Sequence, residues 1–313
     1  MDNKVIVSII IPAKDEGEHI RSCLDSIFRL DFPPSRFEVL VVDNGSVDDT
    51  KVIASQYPVK IFDFPGARIG AVRNKGAKEA QGEVLAYVDA DCIVPPCWIS
   101  TALDNLAQED VAAVGGLAIY REHPNWLERA WALKKEVKRS EVKSLATGSF
   151  VVKRDVFQKV GGFKEGIVAG EDTEISRSIG EAGFKLILEP NLSVIHLGYP
   201  RTIREFVRRQ VWQTSDYLKT LNSNFDKVFF LTNVFLFCFI LSPLLLAFGM
   251  LPYGAFLLLV MTAIPCLVAA IKLFRSVERK TLSLFLQVCF VHLLYFAGRS
   301  VGLLTSYKRC LVG

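Results

Sequence analysis

The sequence has 313 residues, which is long enough for two domains, and half of them are hydrophobic. Residues 228–313 contain seven of the 37 Lys/Arg and one of the 33 acidic residues, which leaves 30 basic and 32 acidic residues before them. The N-terminal part is therefore slightly acidic, and its charge gives no basis for nucleic-acid binding. Seven cysteines without a CxxC pair favour reduced thiols over a disulfide framework or a zinc site.

Short apolar runs alternate with segments of helical periodicity along residues 1–200. The runs predicted as β-strands are Val5–Ile11, Phe37–Val42, Val59–Phe62, Val84–Val88 and Val111–Gly116. The predicted helices are Glu16–Phe28, Asp48–Gln56 with Asp48 as its N-cap, Ala67–Ala80, and Pro95–Leu106 with its prolines near the first turn. This alternation predicts an α/β domain with a mostly parallel sheet and helices on both faces.

Carboxylates follow three of these strands, at the sheet edge where such domains bind ligands. They lie in Pro12-Ala13-Lys14-Asp15-Glu16, in Asp43-Asn44-Gly45-Ser46 and in Asp89-Ala90-Asp91. Any one of these loops is also explained as a turn or a helix cap, because Asp, Asn and Gly favour such positions. Two oxygen ligands two residues apart, as in Asp89-Ala90-Asp91, suit Mg²⁺ or Mn²⁺.

A later acidic segment, Gly170-Glu171-Asp172-Thr173-Glu174, begins a predicted helix. Asp172 has two interpretations there. It is either a general base, whose pKa a second carboxylate and a nearby diphosphate would raise, or a helix N-terminal cap stabilised by the helix dipole.

The order of PAKDE, VVDNGSVDDT, YVDADC, TGSF and GEDTE along residues 5–220 resembles family 2 glycosyltransferases with the Rossmann-like GT-A fold. The resemblance implies metal-dependent, inverting transfer of a sugar from a nucleotide-sugar donor, with Asp172 as the base. It further implies donor binding by Pro12, Glu16, Asp43, Arg68, Arg73 and Asp89, metal binding by Asp91 and His196, and an acceptor side at Gly148 and Glu171. The alternative for His196 is a packed or solvent-facing histidine, and the alternative for Arg68 and Arg73 is an unpaired surface arginine.

Two departures from the family pattern bear on specificity. Lys14-Asp15-Glu16 stands where many relatives have Tyr-Asn-Glu, so a tyrosine that could stack on the nucleobase is absent. The sequence therefore does not indicate which nucleobase the donor carries. Val207-Arg208-Arg209-Gln210-Val211-Trp212 lacks the QxxRW order of processive members, which favours a single transfer over polymerisation.

The C-terminal part, residues 228–313, is predicted to be an all-α membrane block after a transferase domain of residues 1–227. Val228–Met250 and Leu251–Ile271 each have the roughly 20 apolar residues that cross a bilayer. A third segment, at about 281–304, contains His292 and Arg299, and spanning, re-entrant and interfacial placements all stay open. The basic loop at 275–280 predicts a multi-pass inner-membrane protein whose catalytic domain faces the cytoplasm.

Two basic, tryptophan-bearing stretches, His123–Lys143 and Arg201–Lys219, are predicted as amphipathic helices. They are either solvated helices or the elements that seat the active site on an anionic leaflet, which would make the acceptor a lipid or a lipid-linked sugar. A glycan is the other acceptor class that we expect. Two competing functions are a polyprenyl-phosphate glycosyl synthase, whose acceptor is already ionised, and a catalytically silent membrane scaffold.

Overall fold

The computed structural model describes residues 4–167, 169–214 and 227–312. The chain divides into two compact units, one of residues 1–121 and 137–198, the other of residues 122–136 and 199–313. The strands are β1 (Val7–Ala13), β2 (Phe37–Asp43), β3 (Lys60–Asp63), β4 (Val84–Tyr87), β5 (Cys92–Ile93), β6 (Val111–Gly115), β7 (Ala118–Ile119), β8 (Ser140–Val142), β9 (Phe150–Lys153), β10 (Lys185–Leu188) and β11 (Val194–His196). The helices are α1 (Ile20–Ile27), α2 (Thr50–Ala54), α3 (Ile69–Glu79), α4 (Trp98–Leu106), α5 (Trp126–Trp131), α6 (Arg154–Lys159), α7 (Glu171–Glu181), α8 (Ile203–Thr214), α9 (Lys227–Ala247), α10 (Leu251–Phe274) and α11 (Leu282–Val312).

The first unit is built on an eight-stranded sheet in the order β3-β2-β1-β4-β9-β6-β10-β8 among the described residues. Strands β1 to β4 are mutually parallel, as are β6 and β10, whereas β9 and β8 run antiparallel to their neighbours. The predicted α/β class with a mostly parallel sheet is therefore confirmed. A second sheet, in the order β5-β11-β7, consists of strands of two or three residues, which are too short to show a periodic pattern in the sequence.

Helices cover both faces of the large sheet, and the side chains of β1 pack in an apolar core on each face. Val7, Ile9 and Ile11 pack in the apolar core that contains α1 and α4, whereas Ile10 packs in the core that contains α6 and α7. All of these side chains are fully buried. A parallel strand that is buried on both faces reads as a continuous apolar run, which is why β1, β2 and β4 were recognisable from the sequence.

All four predicted helix starts were placed too early, by two to four residues. Helix α2 begins at Thr50 with Asp49 as N-cap, although the Asp48 carboxylate accepts the Thr50 amide at 3.0 Å. Helix α4 begins at Trp98 with Cys97 as N-cap, after both prolines. The reason is steric, because the ring of Pro96 disfavours the helical region for Pro95.

The second unit contains three long apolar helices, α9, α10 and α11. In the described part of the chain, Lys227–Ala247, Leu251–Phe274 and Leu282–Lys308 are long and apolar enough to cross a membrane. Helix α8 belongs to this unit, although the predicted transferase domain extends to residue 227, and the functional boundary at 227/228 stays a prediction.

The basic stretch His123–Lys143 is not one helix, contrary to the prediction. Only Trp126–Trp131 is helical, starting from a capping box in which Asn125 accepts amides of the first turn and Glu128 accepts the Asn125 amide. From Ser140 the chain instead pairs with β10 as an edge strand, so the stretch is shared between the two units. Of the predicted helix Arg201–Lys219, residues 203–214 are helical and residues 215–219 lie outside the described residues.

Candidate functional site

Asp43, at the end of β2, is fully buried and fixed by its own turn. Its Oδ2 accepts the amides of Gly45 and Ser46, each at 3.0 Å, and Gly45 adopts a left-handed φ of +78°. The other oxygen, Oδ1, is buried and has no hydrogen-bond partner in the described ranges. A buried acceptor without a partner costs about 1–3 kcal/mol, so a ligand that donates to Oδ1 would recover that cost.

The loop after β1 is joined to the loop after β2 by hydrogen bonds. Pro12 lies beside Val42 in the parallel register, the Glu16 amide donates to Thr50 Oγ1 at 2.8 Å, and the Asp15 amide donates to Ser46 Oγ at 2.9 Å. Asp15 has a φ of +54°, and its Oδ1 accepts the Val47 amide at 2.9 Å. The two carboxylate-bearing loops therefore form one rigid edge of the sheet.

Arg73 of α3 connects two of the predicted site carboxylates. Its Nη2 donates to Asp89 Oδ1 at 2.8 Å and its Nη1 to Glu171 Oε1 at 2.6 Å, while the ring of Phe163 lies 5.7 Å from Cζ. The side chains of Arg73 and Glu171 are buried. Burial opposes the charge on Arg73, but the carboxylates of Asp89 and Glu171 outweigh it and raise the pKa of Arg73.

Asp172 follows Glu171 in the first turn of α7. Gly170, with a φ of +93°, is the N-cap, so Asp172 is inside the helix and is not its cap. Its Oδ1 accepts the Thr173 amide at 2.7 Å. Burial, and then the charge of Glu171, raise the pKa of Asp172, and the Thr173 amide and Arg73 only partly oppose this. A carboxylate with a raised pKa is suited to accept a proton.

Asp91 and His196 meet because of the second sheet. Strand β11 pairs antiparallel with β5 so that His196 lies opposite Cys92, the residue after Asp91, and the Leu197 amide donates to the Asp91 carbonyl at 2.7 Å. His196 Nε2 is 3.5 Å from Asp91 Oδ2. The possible donor atoms of Asp91, Cys92 and His196 all lie within 4.8 Å of one another. A carboxylate and an imidazole at this spacing can hold a divalent cation.

Two glycines bring the backbone against these carboxylates. A methyl group on Gly148 would lie 3.5 Å from Asp89 Oδ2, so this glycine is beside the predicted donor site. At Gly198 a methyl group would overlap Asp91 Oδ2, because the backbone runs directly beside that oxygen. Gly148 was predicted as a site residue, whereas Gly198 and Cys92 were not, because a lone glycine or cysteine carries no specific pattern.

Arg68, unlike Arg73, is exposed. It is the N-cap residue of α3, and its Nη1 donates to the carbonyl of Gly166. The structure therefore brings together Arg73, Asp89 and Glu171 in one group and Asp91 and His196 in another. Arg68 makes none of its described hydrogen bonds with either group.

Comparisons with known proteins identify the family. Residues 8–161 match the sequence model of the family described as "Glycosyl transferase family 2". The glycosyltransferase AglE of Haloferax volcanii is 29% identical over 208 residues, which cover 62% of this chain and 67% of AglE. The O-antigen biosynthesis protein RfbC of Myxococcus xanthus is 27% identical over 223 residues, which cover 61% of this chain but 17% of RfbC.

The fold agrees with a solved transferase. The mannosyltransferase PcManGT of Pyrobaculum calidifontis, in complex with GDP-Man and Mn²⁺, gives a TM-score of 0.55 at 20% identity over 98% of this chain and 87% of PcManGT. At this identity the likeness shows the GT-A fold alone. Together with the sequence matches, it shows that the chain belongs to glycosyl transferase family 2 and is a GT-A glycosyltransferase whose domain is followed by three long apolar helices.

Proposed function

We propose that the protein is a membrane-anchored, inverting glycosyltransferase that makes a single transfer from a nucleotide-sugar donor to a hydroxyl of a lipid-linked or glycan acceptor. Asp43 is proposed to bind the nucleoside of the donor through Oδ1, the oxygen that has no hydrogen-bond partner among the described residues. Pro12 and Glu16, from the neighbouring loop, are proposed to support this binding. Arg68 is proposed to reach the donor from the exposed start of α3. Donor binding in PcManGT, whose complex contains GDP-Man, supports the donor class.

The observation that carries this proposal is the Arg73 bridge. One buried guanidinium holds Asp89, on the donor side, and Glu171, which precedes the proposed base Asp172. Donor and base are then fixed to one rigid group, which is the arrangement that a direct displacement needs. Gly148 and Glu171 would border the acceptor, whose hydroxyl proton Asp172 accepts.

Asp91 and His196 are the residues that would hold the divalent cation, and the side chains fit that role. Their spacing, and the backbone of Gly198 running directly beside Asp91, leave the carboxylate oxygen and the imidazole nitrogen side by side. The nitrogen ligand suits Mn²⁺ better than Mg²⁺, which takes oxygen ligands. When bound, the cation neutralises charge on the departing nucleoside diphosphate. The complex of PcManGT with Mn²⁺ supports this proposal.

The substitution Gly198→Ala tests the metal site without removing a ligand. The new methyl group would displace the Asp91 carboxylate, so we expect Mn²⁺ affinity, measured by titration calorimetry, to fall at least about tenfold. The matched control is Gly180→Ala in α7, where a methyl group would meet nothing within 4 Å. Equal Mn²⁺ affinities for the two variants would contradict the assignment.

The membrane proposal is two spans, α9 and α10, with α11 shallow on the cytoplasmic side. The ring of Phe296 stacks on Phe235 at 5.6 Å, and the Tyr307 hydroxyl donates to Asn233 at 3.0 Å. Phe296 and Tyr307 are about 16 Å apart along α11, whereas Asn233 and Phe235 are about 3 Å apart along α9. Helix α11 therefore crosses α9 obliquely, and at Tyr307 it is still near the first third of α9.

The packing of α8 supports the same placement. Thr214 Oγ1 donates to the Arg299 carbonyl at 3.2 Å, and a methyl group on Gly298 would lie 2.9 Å from Gln210. Helix α8 thus packs closely along α11, and it also carries Arg204, Arg208 and Arg209, which are too costly to place among lipid tails. A shallow α11 would also keep Lys308 on the side of the basic loop at 275–280, as the positive-inside rule favours.

Reporter fusions test this topology. With a reporter attached after Gly313, we expect a green fluorescent protein fusion to fluoresce and an alkaline phosphatase fusion to be inactive, because both reporters would stay in the cytoplasm. Fusions after Met250, between the proposed spans, are the control and should give the opposite pattern. Active phosphatase after Gly313 would show that α11 crosses the membrane.

A further inference from the structure

Trp131 of α5 is surrounded by aromatic and basic side chains that the proposed reaction does not use. Its ring lies 5.0 Å from the ring of Phe206, 5.3 Å from Tyr295 and 5.9 Å from His292, and the Lys272 ammonium is 4.4 Å from its centre. We call these five residues the Trp131 cluster. All of them belong to the second unit.

Lys272 has no anionic partner within the described ranges. The charged side chain that acts on it is another cation, Lys135. Two acids of this unit are bonded elsewhere: Glu278 accepts from Arg129 at 2.7 Å, and Glu128 accepts the Asn125 amide at 2.8 Å. The face of Trp131 stabilises a nearby cation, but it does not neutralise the charge. Within the described residues no carboxylate is paired with Lys272, so an anionic ligand at the cluster would find an uncompensated cation.

His292 supplies a second, independent indication of a ligand. It is 1% exposed, and its Nδ1 lies 2.7 Å from the Val288 carbonyl, so Nδ1 carries a proton and donates it to that oxygen. Its Nε2 is buried and has no hydrogen-bond partner in the described part of the chain. A partly buried cation and an unsatisfied imidazole nitrogen, both against one indole, form a site that an anion with a hydrogen-bonding oxygen fits.

The position of the cluster indicates where that anion comes from. Lys272 is in the last turn of α10, directly before the basic loop at 275–280 that is proposed to lie at the cytoplasmic surface. Phosphate groups of membrane lipids lie at that level, and tryptophan rings favour it as well.

We propose that the Trp131 cluster binds a phosphate group carried on a lipid. Lys272 is its counter-ion, and His292 Nε2 makes one hydrogen bond with a phosphate oxygen, accepting from a P–OH or donating when the ring is protonated. This inference rests on the proposed transferase function, and in that function the bound phosphate belongs to the lipid-linked acceptor. An anionic phospholipid would present the same chemistry.

The test uses the full chain in nanodiscs of phosphatidylcholine, with bound lipid counted by native mass spectrometry. A polyprenyl phosphate, the matching polyprenol and phosphatidic acid are added in turn, and inorganic phosphate is the soluble competitor. We expect the polyprenyl phosphate to bind at least about tenfold more tightly than the alcohol and to resist millimolar inorganic phosphate. Phosphatidic acid at equal affinity would identify a phospholipid site, which supports the lipid phosphate but overturns its place in the acceptor. No preference over the alcohol, or displacement by inorganic phosphate, would overturn the proposal.

Variants locate the site. Lys272→Met and His292→Gln should each weaken binding of the polyprenyl phosphate about tenfold, and Lys272→Arg should restore most of it. The matched control is Lys280→Met, because Lys280 lies over the ring of Phe274 at 5.2 Å, a similar contact outside the cluster. A loss of affinity in Lys280→Met equal to that in Lys272→Met would reduce the effect to general surface charge and overturn the assignment.

Donor turnover separates this inference from the proposed function. Without acceptor, slow release of nucleoside diphosphate in the presence of Mn²⁺ reports the transferase site alone, and it should be unchanged in Lys272→Met. Intact release with no phosphate-dependent lipid binding would refute only the lipid site. Absent release in the unmodified protein would refute the transferase proposal and leave the binding result to be judged by itself.

Discussion

Replacing Asp172 by Asn is expected to lower kcat by a factor of about 10²–10⁴ and to leave the affinity for donor and Mn²⁺ nearly unchanged. The amide keeps the size of the side chain but cannot accept the proton of the acceptor hydroxyl. Donor binding is proposed to use Asp43 and Asp89, whose hydrogen bonds do not involve Asp172. Steady-state kinetics and donor titration on the same preparation measure both quantities.

A matched control removes a similar acid from a similar position. Asp155 is in the first turn of α6, and its Oδ1 accepts the amide of the next residue, Val156, at 2.8 Å, as Asp172 does with Thr173. Asp155→Asn should therefore leave kcat within about twofold. If Asp172 only stabilised the start of its helix through the helix dipole, the two variants would have similar kcat values. Substantial activity of Asp172→Asn toward polyprenyl phosphate would instead favour the synthase, because that acceptor needs no base.

The pH dependence of kcat follows from the same carboxylate. Burial, and then Glu171, raise the pKa of Asp172, so its ionised form is lost at a higher pH than for an ordinary aspartate. We expect kcat to fall on the acid side of neutrality and Asp172→Asn to abolish that dependence. The sign for stability is opposite: a raised folded-state pKa means that ionisation weakens the fold as the pH rises. Asp172→Asn should therefore melt slightly higher at neutral pH, which thermal denaturation can measure.

Replacing Arg73 by Met is expected to destabilise the first unit by about 3–5 kcal/mol. Met fills similar space but leaves the buried carboxylate of Glu171, and with it Asp89, without the cation that compensates them. The loss should appear as a lower Tm of the purified full chain. Donor affinity should fall as well, because Asp89 loses its fixed position.

Two further variants make this prediction specific. Arg68→Met, which removes an exposed arginine from the start of the same helix, should change Tm little. In the double variant Arg73→Met with Glu171→Gln, the buried negative charge is gone, so part of the lost stability should return. A Tm of Arg73→Met equal to that of Arg68→Met would refute the role of the bridge.

Elements with local signals were predictable from the order of residues alone. Strands β1, β2 and β4 are continuous apolar runs because both sheet faces are buried, and α9 and α10 are recognisable from length and the absence of charge. The carboxylates after the strands followed from the same pattern, since parallel strands end at a common edge. The family resemblance then placed Asp172 and His196 among the site residues.

Contacts between residues that are far apart in the chain became apparent only from the fold. His196 lies opposite Cys92 because β5 and β11 pair, and these strands are too short to show a periodic pattern. Arg73 is 98 positions from Glu171 in the chain, and yet its guanidinium pairs with the Glu171 carboxylate. His123–Lys143 was predicted as one helix, but its end pairs with β10, and a pairing partner more than 40 residues away leaves no local pattern. Pairing between distant segments depends on the whole fold, and no local pattern of residues records it.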